Sequence, residues 1–241
     1  MLLFFKKDSA DYVIMETTRL PTSTPLDNIL NGGLETDAIT NIYGPPGSGK
    51  TNVALCALLG AVGSKKAVYI DTEGSFSYER FAQLGGSQKD MKNIFLLEVH
   101  DWEEQHKTVL GLEKLIEKES VGLIVVDSLV ALYRLHMDDT NFSLVNRQLA
   151  TQYSVLSKIA RMQKIPVLVT NQVYTKDDKV ELTSRTIARY WSKTLVELRR
   201  LEKDSHRVAI VRKHRSIPEG RTIEFKIGAK KLEPMGKFEI F

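Results

Sequence analysis

Gly44-Pro45-Pro46-Gly47-Ser48-Gly49-Lys50-Thr51 is the stretch on which the reading of the whole chain turns. The apolar run Ala38–Tyr43 leads into it and the mostly apolar Asn52–Leu59 follows, so a strand, a glycine-rich loop and a helix succeed one another. That is the context in which G-x-x-x-x-G-K-T forms a phosphate-binding loop. Successive backbone N–H groups curl around a phosphate, and the helix N-terminus adds partial positive charge. Gly47 and Gly49 let the backbone take angles, and approach the ligand, as a side chain would not allow. Lys50 is placed to reach the β- and γ-phosphates and the Thr51 hydroxyl to hold Mg²⁺. The expected ligand is a purine nucleoside triphosphate, cradled by Gly44, Pro45, Pro46, Gly47, Ser48, Gly49, Lys50 and Thr51.

Around this loop the chain alternates short apolar runs with amphipathic stretches. Upstream, Thr24-Pro25 and Asn31-Gly32-Gly33 bracket a short helix, with Thr24 as N-cap, Pro25 in the first turn and glycine at the stop. Val13-Ile14-Met15 reads as a short strand packed on its own domain or in a neighbouring subunit. Downstream, Ala67–Ile70, Asn93–Leu97, Gly122–Val126 and Val167–Thr170 read as buried strands. Helices separate them: one opening at Ser77, one at Asp101-Trp102-Glu103-Glu104 with capping-box spacing, and one over Asn141–Gln163. The alternation predicts an α/β fold with a mostly parallel central sheet flanked by helices. From Tyr190 the texture changes. Thr194–Leu198, Val208–Val211 and Arg221–Ile227 follow one another without helices, as an antiparallel extension of that sheet would.

A phosphate loop needs a carboxylate at the end of a neighbouring strand, and Asp127 follows Leu123-Ile124-Val125-Val126. It is the candidate partner of Thr51 for Mg²⁺, directly or through water. Glu73 lies just past Tyr69-Ile70-Asp71, where a carboxylate can take a proton from water at the γ-phosphate. Asp71 competes for that role or caps the next turn. Gln172, after Val167–Thr170, has both donor and acceptor capacity to sense the γ-phosphate.

Composition narrows the class. Hydrophobic residues at 42% and charged residues at 27% of 241 are ordinary for a soluble domain. The single cysteine, Cys56, allows no intramolecular disulfide and fits a reducing compartment. Met1–Phe5 is too short for a signal-peptide core, and no run approaches the ~20 apolar residues of a membrane span. A cytoplasmic location, with no membrane partner, is expected. The net charge of +4 is unevenly placed. Ten basic residues against three acidic ones fall between Arg185 and Arg215, an excess that suits a polyanion or a solvated sheet surface.

Taken together, the Gly44–Thr51 loop, Asp71-Thr72-Glu73-Gly74-Ser75-Phe76, Val125-Val126-Asp127-Ser128 and Asn171-Gln172-Val173 resemble the ATPase core of the RecA/RadA/Rad51 recombinases. The resemblance spans roughly residues 17–230 and is nearest to the archaeal RadB paralogues, which fits the Lys213–Gly220 segment. It divides the chain into an N-terminal extension, 1–16, and a RecA-like ATPase core, 17–241. It implies ATP at the loop, Mg²⁺ at Thr51 and Asp127, Glu73 as catalytic glutamate and Gln172 as γ-phosphate switch. The two DNA-facing loops would follow Ser128 and Gln172, the second over Val173–Arg189. They offer Arg134, Arg147, Lys176, Lys179, Arg185 and Arg189 as phosphate contacts, with Tyr133, Tyr174, Tyr190 and Trp191 for stacking. Lys213 and Arg215 resemble in spacing the lysine pair by which a RecA subunit reaches its neighbour's ATP; a turn before Pro218 would project them from the sheet edge.

Two departures matter. Val173–Arg189 contains no glycine, unlike the longer second loop of full recombinases. Their helical N-terminal domain and Phe-x-x-Ala motif are also missing, and Phe4-Phe5-Lys6-Lys7 does not supply the motif. The resemblance therefore implies an ATP-modulated accessory protein that binds single-stranded and branched DNA and hydrolyses ATP weakly. Its implied protein partners are further copies of itself, a recombinase, a Holliday-junction resolvase or a DNA polymerase subunit. An active strand-exchange ATPase, for which Glu73 and Gln172 argue, and a KaiC-like oligomeric signalling ATPase without nucleic acid are the alternatives.

Overall fold

The apolar runs flanking the glycine-rich loop pair into one sheet, seen in a computed structural model that describes residues 18–63, 65–176 and 179–235. In chain order the first elements are β1 (Arg19–Leu20), α1 (Leu26–Ile29), β2 (Leu34–Glu35), β3 (Ile39–Tyr43), α2 (Lys50–Ala61) and β4 (Lys66–Asp71). Then come α3 (Tyr78–Gln83), α4 (Gln88–Met91), β5 (Ile94–Glu98), α5 (Trp102–Lys118), β6 (Val121–Asp127), α6 (Ala131–His136) and α7 (Phe142–Gln163). The remainder is β7 (Val167–Asn171), β8 (Val173–Lys176), β9 (Lys179–Leu182), α8 (Arg185–Trp191), β10 (Thr194–Arg200), β11 (His206–Lys213), β12 (Thr222–Ile227) and β13 (Leu232–Pro234). Val13-Ile14-Met15 lies outside the described residues.

Nine strands form the main sheet in the order β13-β12-β11-β10-β3-β7-β6-β4-β5. From β10 to β5 the pairing is parallel, and from β10 to β13 it is antiparallel. This is the expected α/β sheet with its antiparallel extension. Strands buried on both faces need no alternation, and Leu123, Ile124, Val125 and Val126 are all fully buried. One core packs Val53, Ala57 and Leu58 of α2 against Ile42, Tyr69, Val125 and Val196. The other packs Val109 and Leu112 of α5 and Leu149 and Leu156 of α7 against Val68, Ile70 and Val126. Each large side chain so buried contributes about 1.5–3 kcal/mol, which is what fixes the two helix layers to the sheet.

Ser77 caps α3 as expected, its hydroxyl accepting the Arg80 N–H at 3.1 Å. Asp101 likewise caps α5 through the Glu104 N–H at 2.8 Å, but Glu104 answers to the His100 N–H at 2.9 Å rather than to Asp101. Two stretches that the resemblance assigns to the DNA-facing loops are helical. Tyr190 and Trp191 belong to α8, because Ile187, Ala188 and Trp191 recur at helical spacing and pack on the α5–α7 layer. In α6, Leu132 and Tyr133 are buried in the same layer. No helix among the described residues is long and apolar enough to cross a membrane.

Candidate functional site

Parallel pairing brings the carboxyl ends of several strands to one edge, with Tyr43 beside Asn171, and Asp71 beside both Asp127 and Glu98. Ligands of open parallel sheets bind outside those ends. Between β3 and α2 the Gly44–Thr51 loop turns with φ of 72° at Gly47 and 101° at Gly49. A Cβ on Gly44 would meet the Leu198 carbonyl at 2.2 Å, so β10 forms the floor of the loop. No side chain caps α2, which leaves the N–H groups of its first turn facing the loop. The Lys50 ammonium folds back onto the carbonyls of Gly44 at 2.9 Å and Pro45 at 3.1 Å. Burial lowers its pKa below the ordinary lysine value, while the nearby charges of Asp127 and Glu73 oppose that shift.

Asp127 is 2% exposed. Its Oδ2 accepts the Tyr69 hydroxyl at 2.7 Å and the Ser75 hydroxyl at 3.2 Å, and its Oδ1 accepts the Thr170 hydroxyl. Burial and then the Asp127 charge push the Tyr69 pKa well up, so that hydroxyl remains a donor. Three donors leave a carboxylate little free lone-pair capacity, which suits Asp127 to acting on a metal through water rather than directly. Asp71 is otherwise occupied. It accepts the N–H groups of Glu73 and Ser75 at 3.1 Å each and of Phe76 at 2.9 Å, so it caps the turn that presents Glu73.

Glu73 is exposed and is tied to Gln172, whose Nε2 donates to Glu73 Oε2 at 3.0 Å. The Gln172 Oε1 in turn accepts from Arg134 Nη1 on α6 at 2.8 Å. An arginine can only donate, so it fixes which end of the amide faces Glu73. These three side chains line a cleft of about 750 Å³. A separate cavity of about 380 Å³ is lined by Gly47, Gly49, Lys50 and Thr51 together with Ile227 and Arg207. The loop conformation, the uncapped helix start and the adjacent cavity fit a bound phosphate chain.

Arg207 and Arg80 are residues that reading the sequence missed. Arg80 donates to Asn52 Oδ1 at 2.7 Å and to the carbonyls of Ala229 at 2.7 Å and Gly228 at 2.9 Å, stapling the β12–β13 turn to α2 and α3. Arg207 shares the core face of β11 with Ala209 and Val211. An arginine in phase with core residues along a strand was the available signal.

The basic run from Arg185 to Arg215 does not form one free surface. Arg199 and Arg212 both pair with Glu197, and Arg215 pairs with Glu35 at 3.0 Å and with Asp37. Lys213 closes β11, a strand inside the sheet rather than at its edge, and donates to the carbonyls of Ser192 at 2.8 Å and of Arg189. Its neighbour across the ladder is Leu195, near the start of β10, whereas the loop sits at the β10 end. Neither Lys213 nor Arg215 therefore joins the loop of its own chain.

Among the candidate nucleic-acid contacts, Arg134, Arg147 and Arg189 are exposed, the last 3.8 Å from Glu219. Tyr190 is 72% exposed and meets Trp191 edge-on at 5.3 Å. Tyr133 is 4% exposed and packs on Trp102, which removes it from any stacking surface. The side chains of Tyr174, Lys176, Lys179 and Arg185 lie outside the described residues.

A family model described as Rad51 matches residues 12–233. The DNA repair and recombination protein RadB of Methanobrevibacter smithii is 41% identical over 219 residues, 87% of this chain and 93% of that one. The protein of the same description from Methanococcus maripaludis is 41% identical over 217 residues, 88% and 98% of the two chains. A solved structure described as the crystal structure of the RadB recombinase gives a TM-score of 0.77 at 34% identity, covering 90% of this chain and 100% of that one. Sheet order, phosphate loop and strand-end carboxylates together define a nucleotide-binding core of the RecA type. The chain belongs to the Rad51 family, on its archaeal RadB branch.

Proposed function

We propose that this chain is an ATP-binding, ATP-modulated accessory protein of homologous recombination and DNA repair, one that binds DNA and hydrolyses ATP weakly. The observation that carries the reading is the hydrogen-bonded series Glu73–Gln172–Arg134, which links a carboxylate near Lys50 to an exposed cation on α6. In this reading Lys50 and the first turn of α2 hold the phosphates of ATP, and Thr51 with Asp127 hold Mg²⁺. Bound there, Mg²⁺ neutralises charge on the phosphate oxygens. Glu73 takes a proton from water. Its carboxylate accepts the Gln172 amide at 3.0 Å, so that contact has to yield before the same oxygen meets water, which is consistent with slow hydrolysis.

Arg134, Arg147 and Arg189, with Lys176, Lys179 and Arg185, are the proposed contacts to DNA phosphates. Lys213 and Arg215 are proposed to act on the nucleotide of a second copy, since their end of β10–β11 faces away from their own loop. That role requires each to exchange its present partners for phosphate oxygens. The test of the whole reading is anisotropy of labelled single-stranded DNA across a salt series, with and without ATP and Mg²⁺, beside a strand-exchange assay. Salt-dependent binding that ATP modulates, without duplex exchange, is expected. Exchange activity would instead make the chain a recombinase, and DNA binding absent at every salt concentration would remove the nucleic-acid role.

A further inference from the structure

Arg207 is 9% exposed, yet it lines the 380 Å³ cavity beside Lys50 and Thr51. Its Nε donates to the Gly47 carbonyl at 3.1 Å and its Nη1 to the His206 carbonyl at 2.7 Å. Both acceptors are neutral, and no ion pair holds the guanidinium among the described residues. Burial and the neighbouring Arg200 push its pKa down, with Asp204 opposing. A buried cation without a counter-ion is costly, and a guanidinium fork matches two oxygens of a phosphate. The cavity wall is therefore built for an anion.

Its position says which anion. Glu73 and Gln172, the groups suited to the terminal phosphate, line the other cleft. Arg207 shares its cavity instead with Lys50, which reaches the β-phosphate, and with Thr51, Asn52 and Ser205. We infer that Arg207 is a direct ligand of the α- or β-phosphate of the nucleotide held by its own chain, a second cation beside Lys50. This rests on the nucleotide-binding reading above. A contact to phosphates common to ADP and ATP strengthens both complexes alike and leaves their ratio unchanged.

The experiment is calorimetric titration of ADP, ATP and adenosine into the full chain, into Arg207→Gln and into Arg207→Lys, each across a salt series, with Lys50→Ala as reference. Arg207→Gln is expected to weaken ADP and ATP equally, by about ten-fold, to leave adenosine unchanged and to flatten the salt dependence. Arg207→Lys should recover part of the loss. Weakening with an unaltered salt dependence would reduce Arg207 to a brace on Gly47 and overturn the inference. So would unchanged ADP affinity in Arg207→Gln while Lys50→Ala still weakens binding sharply; if Lys50→Ala also binds normally, it is the nucleotide site itself that fails. Should Arg207→Gln not fold, side-chain NMR of the unsubstituted protein decides: ADP must shift the Arg207 Nη resonances and adenosine must not, and equal shifts overturn the inference.

Discussion

At the ends of β4 and β6, Asp71 and Asp127 are 3% and 2% exposed, and each accepts three hydrogen bonds from groups of its own fold. On α6, α7 and α8, by contrast, Arg134, Arg147 and Arg189 stand in solvent, with one glutamine and one distant glutamate between them. The first region is ordered before any ligand arrives, and its geometry is what a fixed phosphate chain requires. The second offers exposed cations, which as proposed contacts would meet a backbone of variable shape through charge rather than fit. The difference teaches where selectivity resides: the nucleotide is chosen by geometry, the proposed polymer by electrostatics.

Substitutions can break that contrast or sharpen it. The largest effect is expected of Lys50→Ala, on the order of a 100-fold loss of ATP affinity for a charge-assisted contact worth roughly 1.5–3 kcal/mol. Calorimetry checks it, and unchanged affinity in a folded variant would remove the loop from nucleotide binding. Thr170→Val deletes one donor to the buried Asp127 carboxylate. It should cost about 2 kcal/mol of folding stability, read as a lower urea midpoint with an unchanged slope; a wild-type midpoint would mean that Asp127 is not held as described. Tyr153→Phe leaves the amides of Asn41 and Asn171 without the hydroxyl that accepts both, at 3.1 and 3.0 Å. A loss of about 1 kcal/mol is expected, visible in thermal melts. The smallest change belongs to the exposed side. Arg147→Ala combined with Arg189→Ala should leave ATP affinity alone and flatten the salt dependence of single-stranded DNA binding by about 1.4 in log–log slope. An unchanged slope would discard those two contacts.

Much of this was legible because it is local in sequence. The loop, its strand and its helix occupy Ala38–Leu59, and Asp127, Glu73 and Gln172 each follow an apolar run of their own. What stayed hidden depends on how a turn closes or on partners far along the chain. Nothing adjacent to Asp71 distinguishes a turn cap from a base; only the approach of the Glu73, Ser75 and Phe76 N–H groups does. Arg207 was submerged in a run that charge counting treats as one surface, although strand phase puts it on the core face and its neighbours outside. The same counting could not foresee that Glu35, Asp37 and Glu197 neutralise Arg215, Arg199 and Arg212. In Val173–Arg189 the chain builds a two-stranded ribbon and a short helix, where the resemblance had implied a DNA-facing loop.

The strand that carries the loop is paired on both sides with segments made much later, Ile39 with Val167 and Thr40 with Thr194. During synthesis, which proceeds from the N-terminus, β3 and α2 leave the ribosome with neither neighbour in existence. Contacts so distant in sequence are also slow to form, because the intervening chain must close as a loop first. The floor beneath Gly44 is the Leu198 carbonyl, so it is among the last parts to be supplied. A nascent chain that stops short of Leu198 thus carries the complete motif and no finished site.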